Sequence, residues 1–406
     1  MSLYHRYWRN RWRPRSIYLI FLISIVLWKC VDRQWAPERI RRFVLKWLKR
    51  SNRELAIIDQ SIERTPPRGF PTTMIVSATF RCNLRCIQCW TTSLPAEKRK
   101  EFHLYSMSIE LFRKIAKEMF PYLQTINPGL SGEPFLIPYF DEIVETCARY
   151  GVRLDFITNG TLLNEKRLNQ IYPVLSEIRI SIDGASKELL EEIRVGTKYD
   201  QLMENLRRYQ SYRKERKGYR PIFGGCSVIM ERNLHELPAL LDLAVDLEMD
   251  YMEYNYMLAH NKGMIKELPI YHIKKVNKVL EDLKKRAENL PIRLIIPSLL
   301  PTLDTEEQGS REIPFSERET CRFLWNYMSI DPIGVVWPCC EPRAPILGNA
   351  NENTLTEIWR GDIANKVRRT HKGPDAEEGC RVCCFYRVLP RTLKELEKTY
   401  IKLADE

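Results

Sequence analysis

Apolar and polar residues alternate along residues 72–300 in two recurring patterns. Short apolar runs predict strands, and longer stretches with apolar residues three and four positions apart predict helices. The predicted strands cover residues 74–80, 125–130, 153–158, 177–182, 222–230 and 251–257. The predicted helices cover residues 107–119, 137–149, 163–173, 200–214, 234–248 and about 266–288. Strands that alternate with helices favour a parallel sheet, and six such units predict an α/β fold with a partial (β/α)6 TIM-like barrel.

The chain is expected to divide into a body and two appendages. Its 406 residues exceed one small domain, and with 44% hydrophobic and 29% charged residues most of it should fold around a core. The expected segments are a basic membrane-anchoring segment (1–50), a linker (51–71), the barrel (72–300), a second linker (301–320), a small cysteine-rich domain built of a β-hairpin and helices (321–390), and a C-terminal helix or tail (391–406).

Positive charge is concentrated at the N-terminus. The formal net charge is +12, and residues 1–50 hold 13 Lys and Arg against Asp32 and Glu38, which leaves a net charge of +1 for the rest of the chain. A nearly neutral body gives no indication of a nucleic-acid partner. Basic residues beside an apolar run instead favour an anionic membrane surface.

Two N-terminal segments have the character of membrane-contacting helices. Residues 16–28 are apolar and uncharged and are bracketed by Trp12 and Trp28. An apolar helix over residues 16–31 would be short for a spanning helix, so a spanning and an interfacial arrangement both remain open. Residues 37–50 predict a basic amphipathic helix for the bilayer interface, the alternative being packing on the protein's own core. Its apolar positions are Ile40, Phe43, Val44, Trp47 and Leu48.

Nine of the 12 cysteines fall into two groups, at residues 82–89 and 321–384. Disulfide-rich secreted proteins are usually smaller, so clustering at short spacings in a large α/β chain favours metal ligation in a reducing compartment. Cys147 and Cys226 lie in helix-like and strand-like patterns and are expected to be small buried side chains.

The first group consists of Cys82, Cys86 and Cys89 and directly follows the first predicted strand. Three thiolates within eight residues can hold one [4Fe–4S] cluster and leave one iron free to accept a small bidentate molecule. Zinc is the alternative, although zinc sites usually take four protein ligands. The C-x3-C-x2-C spacing at this position resembles the motif of the radical SAM superfamily.

This resemblance covers about residues 72–290 and implies an enzyme that uses S-adenosylmethionine (SAM). In the family, the cluster cleaves SAM reductively to a 5′-deoxyadenosyl radical, which abstracts hydrogen from an unreactive C–H bond. Cys82, Cys86 and Cys89 are then the catalytic and metal-binding residues. One departure is Gln88, because many members carry an aromatic residue before the third cysteine, whereas this chain has Trp90 after it.

Later segments follow the family's order and imply the contacts to SAM. The segment around Glu133 is similar to the one that holds the methionyl amino group, and Arg194 resembles an arginine that binds the SAM carboxylate. Taken singly, these residues are also compatible with ordinary turns, a helix cap or an ion pair within a helix. The SAM contacts that the resemblance implies are Ser131, Gly132, Glu133, Asn159, Ser181, Asp183, Arg194 and Ile229.

The second group has the pattern C-x12-G-x4-C followed by C-x2-C, with a hairpin expected to turn at Gly334. The pattern resembles the SPASM domain and implies one auxiliary [4Fe–4S] cluster. The cysteines Cys340 and Cys384 could replace their neighbours, and a structural zinc ion is the alternative. The ligands that the resemblance implies are Cys321, Cys339, Cys380 and Cys383.

Three substrate classes remain open: a peptide or protein, a lipid or lipid-linked glycan, and a small molecule. A non-enzymatic alternative is a membrane-tethered electron carrier with two clusters. The chemistry requires a low-potential reductant such as ferredoxin or flavodoxin. We therefore expect a membrane-associated chain whose catalytic domain lies in the cytoplasm, where SAM and reductant are available.

Overall fold

The computed structural model describes residues 14–32, 36–300, 318–341, 343–381, 383 and 401. Trp12, Cys384, most of the second predicted linker and nearly all of the predicted C-terminal tail lie outside these residues. The strands are β1 (Thr73–Val76), β2 (Arg85–Cys86), β3 (Thr125–Asn127), β4 (Arg153–Thr158), β5 (Leu175–Ser181), β6 (Arg194–Val195), β7 (Ile222–Ile229), β8 (Tyr251–Tyr256), β9 (Arg293–Ile295), β10 (Tyr327–Ile330), β11 (Val335–Trp337) and β12 (Gly348–Asn349).

Helices connect the strands of the body and continue at both ends of the chain. The α-helices are α1 (Pro14–Val31), α2 (Glu38–Ser61), α3 (Trp90–Ser93), α4 (Ala96–Phe102), α5 (Ile109–Met119), α6 (Phe140–Tyr150), α7 (Glu165–Ile171), α8 (Lys187–Ile193), α9 (Tyr199–Glu215), α10 (Leu237–Asp246), α11 (Ile273–Ala287), α12 (Phe323–Asn326), α13 (Leu355–Arg360), α14 (Asp362–Thr370) and α15 (Glu378–Arg381). Short 3-10 helices cover Pro134–Leu136, Glu231–Glu236, Lys262–Glu267 and Pro269–His272.

Six parallel strands form the centre of the molecule in the order β1-β3-β4-β5-β7-β8. Each predicted strand of the body corresponds to one observed strand and each predicted helix contains one α-helix, although the predicted helices 234–248 and 266–288 begin as 3-10 helices; the predicted α/β class is confirmed. β9 continues the sheet beside β8, and β10 pairs in parallel with β1 on the other side. In the described residues the ten-stranded sheet ends at β9 and β12 and does not close on itself, and its six central parallel strands agree with the expected partial (β/α)6 barrel.

The two faces of the strands differ in burial. On β4 and β5, residues such as Phe156 and Ile178 are fully buried, whereas alternate residues such as Asp155 and Arg179 are only partly buried. Successive side chains of a strand point to opposite faces. The apolar set packs under the helices, as the contact of Tyr209 in α9 with Phe223 in β7 shows. The polar set therefore lines the inside of the barrel.

The cysteine-rich region extends the same sheet instead of forming a separate layer. β10 and β11 make the predicted hairpin, which turns at Gly334 with a φ of 88°. The positive φ favours glycine at this position, and a side chain there would also displace Asn351, whose Nδ2 would lie 2.3 Å from the added Cβ.

The N-terminal helices α1 and α2 pack against each other and against the body. α2 extends to Ser61, beyond the predicted end at residue 50 and into the stretch expected to be a linker. Val44 and Leu48 are buried, so this part of the predicted membrane-facing stripe contacts the protein itself. None of the described helices is long and apolar enough to cross a lipid bilayer, so the spanning form of the predicted anchor is not supported.

Candidate active site

The first cysteine group lies at the carboxyl end of β1, where parallel α/β folds place their chemistry. β2, which contains Cys86, pairs antiparallel with β6, and Cys86 lies opposite Arg194. This short ladder fastens the cysteine segment to the chain that follows α8. Burial raises the pKa of the Cys82 thiol to about 12 and also raises that of Cys86, and neighbouring cysteines add to both shifts.

Each of the three sulfurs has a polar group near it. Leu84 N donates to Cys82 Sγ at 3.5 Å, and Asn159 Nδ2 lies 4.0 Å from the same sulfur. Arg194 Nη1 lies 3.7 Å from Cys86 Sγ, and Thr91 Oγ1 lies 3.1 Å from Cys89 Sγ. Hydrogen bonds directed at ligand sulfurs stabilise thiolates and tune the potential of iron–sulfur clusters. These residues therefore fit a four-iron cluster bound through three cysteines.

The segment Ser131-Gly132-Glu133 crosses the chain that leads from β1 to the cysteines. Glu133 N donates to Arg81 O at 2.7 Å. Gly132 has a φ of 79°, and a Cβ atom there would lie 2.6 Å from Thr79 O. Glycine is therefore needed for a close backbone crossing, which fixes the segment beside the cysteine loop.

The carboxylate of Glu133 is buried and joins the ends of β3 and β4. It accepts hydrogen bonds from Thr158 Oγ1 at 2.7 Å, from Asn159 N at 2.9 Å and from Phe135 N at 3.4 Å. Burial raises its pKa, and these donors oppose that shift. The side chain of Asn159 in turn donates to Asn83 Oδ1 at 2.9 Å, so the loop after β4 also holds the cysteine segment.

Asp183 is fully buried and is hydrogen-bonded to three segments of the site: the cysteine loop, β6 and β7. Its Oδ2 accepts from Gln88 Nε2 at 2.6 Å and from Arg194 Nε at 2.7 Å. Its Oδ1 accepts from Val228 N at 2.7 Å and from Ser227 Oγ at 3.3 Å. Both oxygens are thus engaged by protein donors. In the sequence Gln88 marks only a departure from the family motif, whereas in the structure its side chain orients Asp183 beside the third cysteine.

Two further predicted contacts lie on different sides of the sheet. Ser181 Oγ lies 3.6 Å from Cys226 Sγ, and both residues are on the partly buried, inward side. Ile229 is fully buried and, by strand alternation, shares the helix-facing side with Phe223. The inward neighbour at this end of β7 is Val228.

An aromatic group flanks the third cysteine. Trp90 Nε1 donates to Ser131 Oγ at 3.3 Å. Its ring makes edge contacts with Phe80 and Phe102, with ring centroids 5.8 Å and 5.7 Å apart. Trp90 therefore links the cysteine loop to the Ser131 segment.

The inside of the barrel carries a charged network that was not predicted from the sequence. Arg179 contacts Asp155 at 3.3 Å, Glu177 at 3.5 Å and Glu253 at 3.9 Å, and Tyr251 binds Glu177. Burial raises the pKa of Asp155, and the charge of Arg179 opposes this. The sequence does contain a signal for this network, namely charged residues at alternate positions of otherwise apolar strands. Core strands of a parallel sheet are usually apolar throughout.

The second cysteine group lies at the amino end of β10. Burial raises the pKa of Cys339 and of Cys380 to about 12, and Cys321 adds to both shifts, so these three thiols are neighbours. Cys339 is partly buried, whereas Cys340 is exposed. Cys383 is also partly buried. Cys321 N donates to His371 Nε2 at 3.3 Å.

In the described part of the chain, no three His, Cys, Asp or Glu side chains converge on one metal-ion position. A single zinc ion requires sulfur ligands at about 2.3 Å each. A four-iron cluster binds each cysteine through a different iron, so its ligands need not meet at one point.

Two models of known protein families match the chain. The radical SAM superfamily model matches residues 76–244, and the iron–sulfur cluster-binding domain model SPASM matches residues 321–384. The chain is 24% identical over 312 residues to the tungsten-containing aldehyde ferredoxin oxidoreductase cofactor-modifying protein of Pyrococcus furiosus, covering 71% of this chain and 81% of that protein. It is 23% identical over 308 residues to the antilisterial bacteriocin subtilosin biosynthesis protein AlbA of Bacillus subtilis, covering 74% of this chain and 62% of AlbA.

The chain also has the same fold as solved structures to which its sequence identity is low. Streptococcus suis SuiB bound to the precursor peptide SuiA is 14% identical with a TM-score of 0.54, covering 80% of this chain and 72% of SuiB. anSMEcpe with bound AdoMet and Kp18Cys peptide is 19% identical with a TM-score of 0.55, covering 79% and 88% of the two chains.

Proposed function

Because this chain belongs to the radical SAM superfamily and carries a C-terminal SPASM domain, we propose that it modifies a peptide or protein substrate by C–H activation. It is an enzyme of the maturase type, and its cofactors are SAM, the SAM-binding [4Fe–4S] cluster and auxiliary iron–sulfur. The observation that carries the proposal is the set of sulfur-directed polar groups around Cys82, Cys86 and Cys89, beside the close crossing at Gly132.

The residues of the site divide into ligands and positioning groups. Cys82, Cys86 and Cys89 would hold the cluster, which when bound supplies the electron for reductive cleavage of SAM to a 5′-deoxyadenosyl radical. Arg194 and Asn159 approach the ligand sulfurs. Among the predicted SAM contacts, Ser131, Gly132 and Ser181 fit direct contact, since the first two border the cysteine loop and Ser181 faces the barrel interior.

Asp183 fits a positioning role better than direct contact with SAM, because both of its oxygens already accept hydrogen bonds from the protein. For Ile229, whose side chain is on the helix-facing side, the inward residue Val228 is the better candidate for packing against the adenine. Glu133 remains the proposed partner of the SAM amino group. Its oxygens also accept hydrogen bonds, but from the neutral groups of Thr158, Phe135 and Asn159, whereas Asp183 is already paired with the Arg194 cation.

A peptide substrate is supported by the relatives and by the barrel interior. SuiB and anSMEcpe have been solved with bound peptides, and AlbA acts in the biosynthesis of a bacteriocin. The interior around Arg179, Asp155, Glu177 and Glu253 is polar and charged. Such walls suit a peptide, whose backbone needs hydrogen-bond partners, better than an acyl chain.

The auxiliary site would hold one further four-iron cluster through Cys321, Cys339, Cys380 and Cys383. Four cysteine ligands leave no iron open for substrate, so we assign this cluster to electron transfer. Burial raises the pKa of Tyr327 at the start of β10, and the nearby Cys340, Cys339 and Arg179 also act on it, so its side chain lies near both the auxiliary site and the charged network.

The partners and location follow from this chemistry. The cluster requires a low-potential reductant of the ferredoxin or flavodoxin class and the reducing side of a membrane. We also propose that residues 1–50 associate the chain with a membrane surface, since they carry most of its net positive charge. The nearly neutral remainder of the chain gives no reason to propose a nucleic-acid partner.

The test is an anaerobic incubation of the reconstituted enzyme with SAM, dithionite and a short peptide encoded beside its gene. We expect 5′-deoxyadenosine together with a changed peptide: a mass loss of two hydrogens for a crosslink or oxidation, or solvent deuterium uptake for an epimer. If turnover requires a lipid-linked glycan or a small molecule and no peptide is changed, the peptide assignment is wrong.

A further inference from the structure

A row of exposed apolar side chains runs along the outer side of α1. The row consists of Tyr18, Leu19, Leu22, Ile23, Val26 and Leu27, which are between 36% and 60% exposed. Their three- and four-residue spacing puts them on one helix face, which we term the outer apolar face. The opposite face carries Phe21 and Trp28, which are buried against the body. One face of α1 is therefore used by the protein itself, and the other is available to a partner.

α2 adds exposed apolar and basic side chains next to this helix. Ile40, Phe43 and Trp47 are exposed, with Phe43 at 62%. Basic side chains alternate with them on the solvent side of α2, and these are Arg39, Arg42, Lys46, Arg50 and Arg53. Apolar and aromatic residues beside Lys and Arg are typical of helices that lie in the plane of a bilayer interface.

The hairpin of α1 and α2 covers the amino ends of the barrel strands. Phe21 contacts Phe70 and Tyr122, which precede β1 and β3, with ring centroids 6.4 Å and 6.0 Å away. Trp28 contacts Tyr150, which precedes β4, at 5.8 Å. The inner side of α1 therefore faces the barrel, and its outer apolar face points away from it.

α2 is fastened to the same end by hydrogen bonds. Lys49 Nζ donates to Leu123 O at 2.5 Å and to Gly151 O at 3.1 Å. Asn52 Nδ2 donates to Phe70 O at 3.1 Å and to Tyr122 O at 3.2 Å. The cysteines and the Gly132 segment follow the same strands at their carboxyl ends, and a six-residue strand separates the two ends by about 20 Å.

We infer that the outer apolar face docks on an anionic lipid leaflet and that the SAM site then opens away from the bilayer. The exposed cations of α2 complement an anionic leaflet. A second copy of this chain fits less well, because a symmetric contact would bring the same cations together. SAM and substrate would then enter from the aqueous side. The entry of SAM and substrate from the aqueous side rests on the proposed function, and it favours a water-soluble peptide over a bilayer lipid as substrate.

Vesicle sedimentation tests the docking. The reconstituted full chain is mixed with vesicles of phosphatidylcholine alone or of equal parts phosphatidylcholine and phosphatidylglycerol. Ile23→Glu, at a 50% exposed position, is compared with Ile363→Glu, at a 52% exposed position on α14. We expect the wild type and Ile363→Glu to bind the anionic vesicles, and Ile23→Glu to bind about tenfold more weakly. Val26→Glu is a second variant, and circular dichroism checks that each is folded.

Hydrogen exchange with and without the anionic vesicles tests the orientation. Protection of residues 16–31 and 38–50, with no change at residues 128–134 and 158–161, supports it. Three outcomes overturn the inference: no vesicle binding, protection of the SAM-site segments, or a lipid-independent dimer that Ile23→Glu converts to monomer. None of these readouts needs SAM cleavage, so failure here and failure of the proposed activity are separate results.

Discussion

Gly132 gives a sharp test of how the site is assembled, and the perturbation is Gly132→Ala. The added Cβ would lie 2.6 Å from Thr79 O and 2.7 Å from Arg81 O. An ordinary carbon–oxygen contact is about 3.3 Å, so the two segments must separate by roughly 0.6 Å. The φ of 79° adds about 1 kcal/mol of strain for alanine.

The separation also weakens the hydrogen bond from Glu133 N to Arg81 O, which is worth about 1 kcal/mol. Together the two terms give a destabilisation of about 2 kcal/mol, centred on the SAM site. Because misplacing reacting groups by about 1 Å can reduce a rate about 100-fold, we expect SAM cleavage to fall by about that factor. The assay is 5′-deoxyadenosine formation with dithionite, together with calorimetric titration of SAM.

Gly151→Ala is the matched control. Gly151 also has a positive φ, of 61°, but no atom lies within 4 Å of the added Cβ. This variant should lose about 1 kcal/mol of stability and keep its SAM cleavage. If Gly132→Ala cleaves SAM as fast as the wild type, or if both variants lose activity equally, the close crossing does not position the site.

Three further predictions follow from other contacts. Arg194→Gln removes a positive charge near Cys86 Sγ. With about 1.5 kcal/mol for this contact, the reduction potential of the cluster should become more negative by roughly 60 mV in a redox titration followed by EPR. An unchanged potential would refute the proposed effect of Arg194 on the cluster. Burial lowers the pKa of Lys49 to about 7, so above this pH the unfolded state binds one more proton than the folded state and stability rises with pH. The melting temperature of the wild type should therefore rise more between pH 7 and pH 9 than that of Lys49→Met. An equal rise in melting temperature for the two proteins would contradict this. Reconstituted protein should contain about eight irons per chain, and about four irons with one tightly bound zinc would refute the auxiliary cluster.

The order of strands and helices could be predicted from the sequence because each element of the body has its own apolar period. The first cysteine group could also be predicted, since Cys82, Cys86 and Cys89 lie within one short loop. The faces of α2 were harder to predict. Val44 and Leu48 share an apolar stripe with Phe43 and Trp47, but only the structure shows that the first pair is buried and the second exposed.

The connections inside the site could not be predicted from spacing alone. Asp183 looked like part of a SAM-binding segment, yet its four hydrogen bonds come from residues as far apart in sequence as Gln88 and Val228. Ile229 was expected among the SAM contacts only because of the family resemblance, whereas the side of the sheet that it faces is a property of the folded strand. The interior network around Arg179 likewise depends on neighbouring strands being aligned.

The most direct test of the central claim compares the wild type with a variant in which Cys82, Cys86 and Cys89 are all alanine. Both proteins are reconstituted anaerobically and incubated with SAM and dithionite, and 5′-deoxyadenosine and iron are measured. We predict that the wild type forms 5′-deoxyadenosine, and that the variant forms none but retains about four irons at the auxiliary site. A variant that still forms 5′-deoxyadenosine would contradict the assignment of the active site.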